Sequence, residues 1–343
     1  MLEESSTSMS RAPSVDRFPA VPASWYLFGP SADVVERPVS KRLIGRQLVA
    51  FRTAAGEIAV MDANCAHLGA DLGHGSVVGE TIQCPFHNWR YGVDGMCKRI
   101  PGMSGIPPFA RVTAYPVTER HGSIFFFSEP RPLFPLPFFF GQEPADFVAG
   151  PPFRYVADCP WYLNAANGFD VQHFLCVHGR QLVGGCQIDS PDAFARRNRY
   201  RARIVGQSSA DRLLRTFAGR NVEVSITSWG GPFMMMTATF ERAESRFVIA
   251  TQPLEDGTTL CEGIVFVPRS RNPVTRGLIQ PLNLLVRRWL THRFVADEAR
   301  HLRQIRYDPK TLLEGDATMA DFLTWLGELP SRAAHSQSAS CRF

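Results

Sequence analysis

The pattern of apolar and polar positions predicts a strand-rich first part of the chain. From Ala23 to about Pro130, short apolar runs alternate with turn residues. The stretch "RLIGRQLVAFRTAAGEIAVMDA" predicts a hairpin around "AAGE", and Asp94 with Gly95 predicts a tight turn. The proline-rich segment "EPRPLFPLPFFFGQEP" then excludes both a helix and a central strand, and it indicates a domain boundary.

The second part combines helices with an antiparallel meander. The segment "NAANGFDVQHFLCVHG" has helical character, whereas "VEVSITSWG", "PFMMMTATFER" and "RFVIATQPLEDGTTLCEGIVFVP" predict successive strands. Leu278, Leu282, Leu285 and Trp289 follow the spacing of one helical face, which predicts a long helix that begins or kinks at Pro281. The fold class is therefore α+β. We expect disordered tails at 1–18 and 331–343 and domains at 19–135 and 136–330.

Composition narrows the class of protein. The chain has 343 residues, is 45% hydrophobic and carries a net charge of +5 from scattered basic residues, which argues against a nucleic-acid partner. The N-terminal segment lacks the apolar core of a secretory signal, and eight thinly spread cysteines indicate reduced thiols and a cytoplasmic location. The apolar runs at 133–140 and 278–286 are too short for a transmembrane segment, which leaves only a peripheral membrane contact open.

Two cysteines and two histidines form the first candidate metal site. Cys65-x-His67 is followed after sixteen residues by Cys84-x-x-His87, and turn-forming residues flank both halves. Tetrahedral zinc accepts such a set. Each half contributes one Cys and one His, however, which is the ligand pattern of a Rieske [2Fe-2S] centre. Trp89 is expected to pack over this site as a hydrophobic lid.

A second candidate metal site lies in the helical segment. His173 and His178 follow Asp170 in the order D-x-x-H-x-x-x-x-H. Two histidines and one carboxylate with open positions are the facial triad of non-haem Fe(II) oxygenases. The third ligand is expected at the end of the long helix, where Asp297 and Glu298 are the candidates. We predict Asp297, because it shares a helix face with Val286 and Leu290 to within about 20°.

These motifs carry a family resemblance. Cys65, His67, Cys84 and His87 within "CAHLGADL", "CPFHNWRY" and "DGMC", with "DVQH" further on, resemble the Rieske non-haem iron oxygenases. The first domain is most similar to the arylamine N-oxygenase branch of that family, while "HFLCVHG" is similar to its steroid and sterol hydroxylases. The resemblance implies an all-β Rieske domain followed by a helix-grip-like catalytic domain, with an antiparallel sheet and a long C-terminal helix.

The resemblance also implies roles for single residues. Cys65, His67, Cys84 and His87 would hold the [2Fe-2S] cluster, and His173, His178 and Asp297 would hold a mononuclear Fe2+. Asp170 would carry electrons to the iron from the Rieske histidine of a neighbouring subunit, which implies a homotrimer. Asn167 matches the Asn-x-x-Asp pattern of the monooxygenase branch and would orient a ligand, with helix capping as its alternative role.

The expected function is an oxygenase that uses O2 to hydroxylate or N-oxygenate an apolar or aromatic small molecule in secondary metabolism. The sequence has neither a dinucleotide fingerprint nor a second cluster motif, so electrons from NAD(P)H would arrive through a separate flavin reductase or ferredoxin. Arg90, Lys98 and Arg99 are candidates for its docking patch. A steroid or sterol hydroxylase, a desaturase and a non-catalytic Rieske electron carrier are the alternatives.

Overall fold

The computed structural model describes residues 12–332, and its first part consists of three small antiparallel sheets. The strand orders are β1-β11-β10, β2-β3-β4-β9 and β5-β6-β7-β8. The strands are β1 (Trp25–Pro30), β2 (Val39–Leu43), β3 (Arg46–Arg52), β4 (Ile58–Asp62), β5 (Ser76–Val78), β6 (Thr81–Gln83), β7 (Arg90–Gly92), β8 (Cys97–Arg99), β9 (Ala114–Tyr115), β10 (Val117–Arg120) and β11 (Ser123–Phe127). The predicted hairpin joins β3 to β4, and the Asp94-Gly95 turn joins β7 to β8.

One large antiparallel sheet and five helices make up the second part. The sheet runs β12-β20-β19-β18-β17-β16-β14, with β13 also paired to β20 and β15 to β16. Its strands are β12 (Phe147–Ala149), β13 (Phe153–Ala157), β14 (Arg180–Leu182), β15 (Gln187–Asp192), β16 (Ala195–Ile204), β17 (Asn221–Trp229), β18 (Phe233–Phe240), β19 (Glu244–Pro253) and β20 (Thr259–Pro268). The helices are α1 (Trp161–Ala166), α2 (Val171–Cys176), α3 (Ser209–Phe217), α4 (Gln280–His301) and α5 (Ala317–Glu328). The α+β expectation is confirmed.

The proline-rich connector packs between the two parts. It contains neither helix nor strand from 129 to 143, and it buries Phe134, Leu136 and Phe139 in one cluster with Trp25 and Trp229. The indole Nε1 of Trp25 donates a hydrogen bond to the carbonyl of Phe134 at 2.9 Å. Aromatic burial of this kind contributes on the order of 2 kcal/mol per side chain, so the connector holds the two parts together as core.

Parts of the predicted tails belong to the fold. Phe18 is buried and stacks on Tyr162 with ring centroids 4.0 Å apart, and Arg332 N–H donates to the carbonyl of Val21 at 2.8 Å. Residues 12–18 and 331–332 therefore pack against the folded chain, because Phe18 has an aromatic partner and the backbone at 331–332 pairs with the start of the first part. The rest of the predicted tails, 1–11 and 333–343, lies outside the described residues.

The long helix α4 is present, but its predicted apolar face points outward. A π-helical turn at Thr275–Ile279 precedes it, and its buried residues are Gln280, Thr291 and Val295. Leu282 and Trp289 of the predicted face are 62% and 59% exposed. Polar contacts hold the inner side, where Gln280 Nε2 donates to the carbonyl of Pro268 at 2.6 Å. No helix among residues 12–332 is long and apolar enough to cross a bilayer.

Helix α5 was not predicted from the sequence. It buries Ala320, Phe322, Leu323 and Leu326, and the Phe322 ring stacks on Phe169 at 3.7 Å between centroids. The spacing of Ala320, Leu323 and Leu326 at i, i+3 and i+6 is the signal that would have indicated this helix. Its position matters because Phe169 belongs to the break between α1 and α2.

Candidate metal centres

Two loops of the first part bring the four predicted cluster ligands together. Cys65 and His67 follow β4, and Cys84 and His87 follow β6. The two thiols are buried, whereas both imidazoles are exposed with their Nδ1 atoms 3.0 Å apart. Burial raises the pKa of the Cys65 thiol, so a cation is needed to stabilise thiolates here. Two buried sulfurs and two surface imidazoles fit a Rieske cluster, whose two irons differ in ligands.

Aromatic side chains surround these ligands. Trp89 is buried and its ring lies parallel to that of His67, with centroids 4.7 Å apart and an interplanar angle of 5°. Tyr91 Oη lies 3.1 Å from Cys65 Sγ and accepts a hydrogen bond from Ala66 N–H at 3.2 Å. Burial raises the pKa of Tyr91 well above its ordinary range, so its hydroxyl stays protonated and donates to the sulfur.

A second group of ligands converges in the other half of the chain. His173 lies on α2, His178 follows that helix, and Glu298 lies near the end of α4. The Nε2 atoms of the two histidines are 3.0 Å apart, and the Glu298 oxygens lie 2.7 Å from His173 Nε2 and 3.0 Å from His178 Nε2. One ligand atom from each residue lies within 4.8 Å of the others. Their donor set is the two-histidine, one-carboxylate triad that binds Fe(II).

Burial opposes ionisation of Glu298, yet the pKa of its carboxyl falls well below the ordinary value. Hydrogen bonds from His173 and His178 together outweigh the burial. Glu298 is therefore a carboxylate at neutral pH. A half-buried carboxylate facing two imidazole nitrogens provides the charge and the geometry that a divalent cation requires.

Asp297 does not join the histidines. Its carboxylate is 56% exposed and pairs with Arg300 on the outside of α4 at 2.9 Å. The prediction of Asp297 as the third member of the group is corrected to Glu298. The helix face shared by Asp297, Leu290 and Val286 exists, but it is turned away from the sheet, and Glu298 lies about 100° further round the helix.

Two residues before α2 support the group. Asn167 Nδ2 donates a short hydrogen bond to Glu298 Oε1, so its side chain reaches the carboxylate directly, while its backbone N–H caps the end of α1 by donating to the carbonyl of Leu163. Asp170 is the N-cap of α2, and its Oδ1 accepts a hydrogen bond from His173 N–H at 3.0 Å. The structure therefore brings both predicted residues into contact with members of the triad.

The turn after His178 is tightly constrained. Arg180 Nη1 donates to the carbonyl of His178 at 2.6 Å and to Asp211 Oδ1 at 2.8 Å. Gly179 has a φ of +58°, and a Cβ there would lie 2.5 Å from the Cα of Gly206. Both the left-handed backbone and the close approach require glycine at this position.

Gly179→Ala is expected to destabilise the protein and to displace His178. The left-handed conformation costs an alanine about 1–2 kcal/mol, and the clash with Gly206 adds to that cost. Denaturant unfolding measures the change in the free energy of unfolding. Gly184→Ala is the matched control, because Gly184 has a φ of +82° with no neighbour within 4 Å. Equal losses in the two variants would contradict the role of the Gly206 contact.

Strands β17 and β18 contribute only alternate residues to the side of the triad. A Cβ on Gly168, next to Asn167, would lie 3.0 Å from Ile226 and 3.2 Å from Met234. Met235 and Thr237 point to the opposite face, where they line a cavity of about 220 Å³ together with the residues Phe139, Phe140, Gln142, Arg197, Ser225, Thr227 and Arg246. The apolar surface near the triad thus comes from every second residue of β17 and β18.

The predicted basic patch near the first site is partly neutralised. Lys98 Nζ pairs with Asp94 at 2.6 Å, and Arg90 donates to Gln83 Oε1 at 2.8 Å, whereas Arg99 is exposed. Leu68 and Phe86, each next to a histidine ligand candidate, are 66% and 62% exposed. The surface around the paired imidazoles is therefore apolar at its centre.

Comparison with known proteins identifies the first part and yields relatives of the chain. Residues 24–115 match the family model of the Rieske [2Fe-2S] domain. Aminopyrrolnitrin oxygenase PrnD of Pseudomonas fluorescens is 37% identical over 144 residues, which cover 40% of each protein. The oxygenase component of a 3-ketosteroid-9-alpha-monooxygenase of Rhodococcus rhodochrous is 33% identical over 168 residues, or 45% of this chain and 41% of that protein. The matches thus span about two fifths of the relatives' length.

Solved structures share the fold over most of the chain. Dicamba monooxygenase bound to dicamba superposes with a TM-score of 0.64 at 18% identity, covering 89% of this chain and 97% of that one. NdmA of Pseudomonas putida CBB5 with caffeine gives a TM-score of 0.64 at 20% identity, covering 88% and 89%. This chain therefore contains a Rieske [2Fe-2S] domain and has, across both of its parts, the fold of the Rieske oxygenases.

Proposed function

We propose that this protein is the oxygenase component of a Rieske-type oxygenase that oxidises an apolar or aromatic small molecule with O2. The observation that carries the proposal is the convergence of His173, His178 and Glu298 in the half of the chain outside the Rieske domain. A Rieske domain alone serves electron transfer. A second, separate set of ligands of the kind that binds iron provides a metal site that can receive those electrons.

We assign the ligands of each centre from the contacts described above. Cys65 and Cys84 would bind one iron of the [2Fe-2S] cluster and His67 and His87 the other, while the triad would hold a mononuclear Fe2+. When bound, the cluster supplies electrons singly and the mononuclear iron offers open positions for O2 and substrate.

The protein residues around the mononuclear site have positioning roles. Asn167 holds the Glu298 carboxylate through its amide, and Asp170 holds the start of α2. We assign Asp170 the further role of linking the triad to the Rieske histidine of a neighbouring subunit within a homotrimer. Its side chain is half-buried and sits at the N-terminal end of the helix that carries His173, which supports that assignment.

An apolar or aromatic substrate is favoured by the side chains near the triad. Ile226 and Met234 border the segment that carries Asn167, and the Phe294 ring lies 5.0 Å from that of His178. These side chains offer apolar contacts and no charge. Two of the similar proteins are named for aminopyrrolnitrin and a 3-ketosteroid, so an arylamine and a steroid belong in a substrate panel.

The electron donor is proposed to be a separate ferredoxin or flavin reductase that draws on NAD(P)H. The exposed imidazoles of His67 and His87, together with Leu68 and Phe86, form a surface from which an electron can enter. A location in the cytoplasm, where thiols stay reduced, agrees with the seven free cysteines among the described residues.

Iron analysis of anaerobically purified protein tests the proposed function. We expect about three irons per chain and the electron-spin signal of a reduced Rieske cluster. With a reductase and NAD(P)H, oxygen consumption should rise on addition of an arylamine or a steroid and produce an oxygenated product. Two irons with no substrate-dependent oxygen uptake would indicate an electron carrier. Protein that lacks visible absorbance and contains zinc would indicate an interaction module.

Tyr91→Phe is expected to lower the reduction potential of the cluster without removing it. The phenol donates its hydrogen bond to Cys65 Sγ, and such bonds to ligand sulfurs stabilise the reduced state. A redox titration followed by visible absorbance measures the potential. Tyr26→Phe is the control, since this buried hydroxyl donates to the carbonyl of Pro22 instead. An unchanged potential in Tyr91→Phe would contradict the assigned donor.

A further inference from the structure

The outer side of α4 and the π-helical turn before it form a long exposed apolar surface. We call this surface the outer stripe, and it consists of Val274, Leu278, Ile279, Leu282, Leu285, Val286, Trp289 and Leu290. Leu278 is 73% exposed and Trp289 is 59% exposed. Large contiguous apolar surfaces of this kind mark interaction sites on soluble proteins.

The register of α4 turns the outer stripe away from the core that residues 12–332 form. Trp289 lies nine positions before Glu298, which is about 180° around an α-helix. Glu298 faces the histidines and Thr291 is buried, so the stripe points directly away from the sheet. The stripe from Val274 to Leu290 has a length of about 25 Å along the helix axis.

The segment that carries the outer stripe has charge of one sign. Residues 263–296 contain six arginines and neither aspartate nor glutamate. Arg271, Arg276 and Arg293 are exposed, and none of them has a carboxylate partner among residues 12–332. Two of them flank the first end of the stripe, while Arg293 follows its last residue and lies over the Trp289 ring at 5.9 Å.

We propose that the outer stripe docks α4 in the plane of an anionic lipid bilayer. An exposed helix with a central apolar face, a tryptophan and flanking arginines is the pattern of an interfacial helix, in which the apolar side chains enter the headgroup boundary and the arginines meet lipid phosphates. The occupant is therefore a membrane surface that carries negative charge. This inference needs neither metal centre and does not depend on the proposed function.

A second copy of the chain fits this surface less well. A two-fold contact brings the same patch against itself, so the arginines that flank the stripe in one copy would face those of the other. The contact of the homotrimer proposed above lies at Asp170, beside the triad, whereas the stripe points away from the triad. An acidic protein would satisfy the arginines, but it would also need an apolar groove about 25 Å long to cover the convex outer stripe. A lipid surface satisfies the charges and the apolar side chains together.

Sedimentation of the full-length protein with lipid vesicles tests this inference. We expect binding to vesicles of mixed phosphatidylcholine and phosphatidylglycerol, weak binding to phosphatidylcholine alone, and release as salt is raised. Within the described part of the chain, Trp289 is the one tryptophan that is largely exposed, so its fluorescence emission should move to shorter wavelength on binding.

Two variants separate the apolar and the charged parts of the contact. Leu282→Ser/Leu285→Ser should abolish vesicle binding. Arg271→Gln/Arg276→Gln/Arg293→Gln should weaken binding to anionic vesicles on the order of 100-fold, because each basic residue near such a surface contributes about 1 kcal/mol. The control is Leu213→Ser/Phe217→Ser, which removes two exposed apolar residues of α3 and should leave binding unchanged.

Three outcomes would overturn the inference. The first is that the wild-type protein does not sediment with anionic vesicles, and the second is that the α3 control loses binding as strongly as the leucine variant. The third is that the leucine variant has a lower mass of the assembly in analytical ultracentrifugation while its vesicle binding is unaffected. That result would make the stripe a contact between copies of the chain. Circular dichroism checks that the leucine variant is folded. If the leucine variant does not fold, the arginine variant still tests the inference.

Discussion

Replacing Glu298 by Gln is expected to remove the mononuclear iron and nearly all turnover while leaving the Rieske cluster in place. Among residues 12–332, Glu298 contributes the one carboxylate that groups with the ring nitrogens of His173 and His178, and the substitution keeps its shape but removes its charge. Since changes to residues behind a metal ligand already cost about 10–100-fold, loss of the ligand charge should lower turnover on the order of 100-fold or more. Iron content should fall from about three to about two per chain.

The neighbouring carboxylate is the matched control for this experiment. Asp297→Asn changes the same charge one residue earlier, where the side chain is exposed and paired with Arg300. Exposed pairs of this kind contribute little, so iron content and turnover should stay close to those of the wild type. Loss of iron in Asp297→Asn together with retention in Glu298→Gln would reverse the assignment and restore the prediction made from the sequence.

The sequence contains enough information to place α4 but not to orient it. Leu282, Leu285 and Trp289 define a clear apolar face, and a helix normally packs such a face against the core. Here that face is exposed, and the inner side is held by Gln280 and by arginines that donate to backbone carbonyls. The choice of Asp297 over Glu298 depended on this orientation, and for that reason it was wrong.

The cluster site could be predicted more completely. Cys65 and His67 lie on one short loop, and Cys84 and His87 lie on another. Residues so close in sequence stay close in the folded chain, so their spacing is enough to predict the site. Tyr91 escaped notice because its contact with Cys65 joins a strand to a loop twenty-six residues earlier. Such contacts depend on strand register, which periodicity alone does not determine. The packing of Phe18 on Tyr162 was missed because it joins the start of the described chain to α1, far along the sequence, where local spacing gives no signal.

Asp170→Asn is expected to abolish most turnover while both metal sites still load. Asp170 caps α2 by accepting the hydrogen bond from His173 N–H, and asparagine caps helices about as well as aspartate does. The exchange therefore preserves the position of His173 and removes only the charge. Iron content, the Rieske electron-spin signal and the free energy of unfolding should remain near wild type, while oxygen consumption with reductase and substrate falls close to background.

Asp170→Ala separates the two roles assigned to this residue. Alanine removes both the cap and the charge, so the free energy of unfolding should fall by about 1 kcal/mol, and His173 should hold iron less tightly. Reduction of the cluster by the reductase should be as fast as in the wild type for both variants, since the Rieske ligands lie elsewhere in the chain. If Asp170→Asn instead turns over normally and only Asp170→Ala is impaired, Asp170 acts as a helix cap alone and has no part in the electron path between subunits.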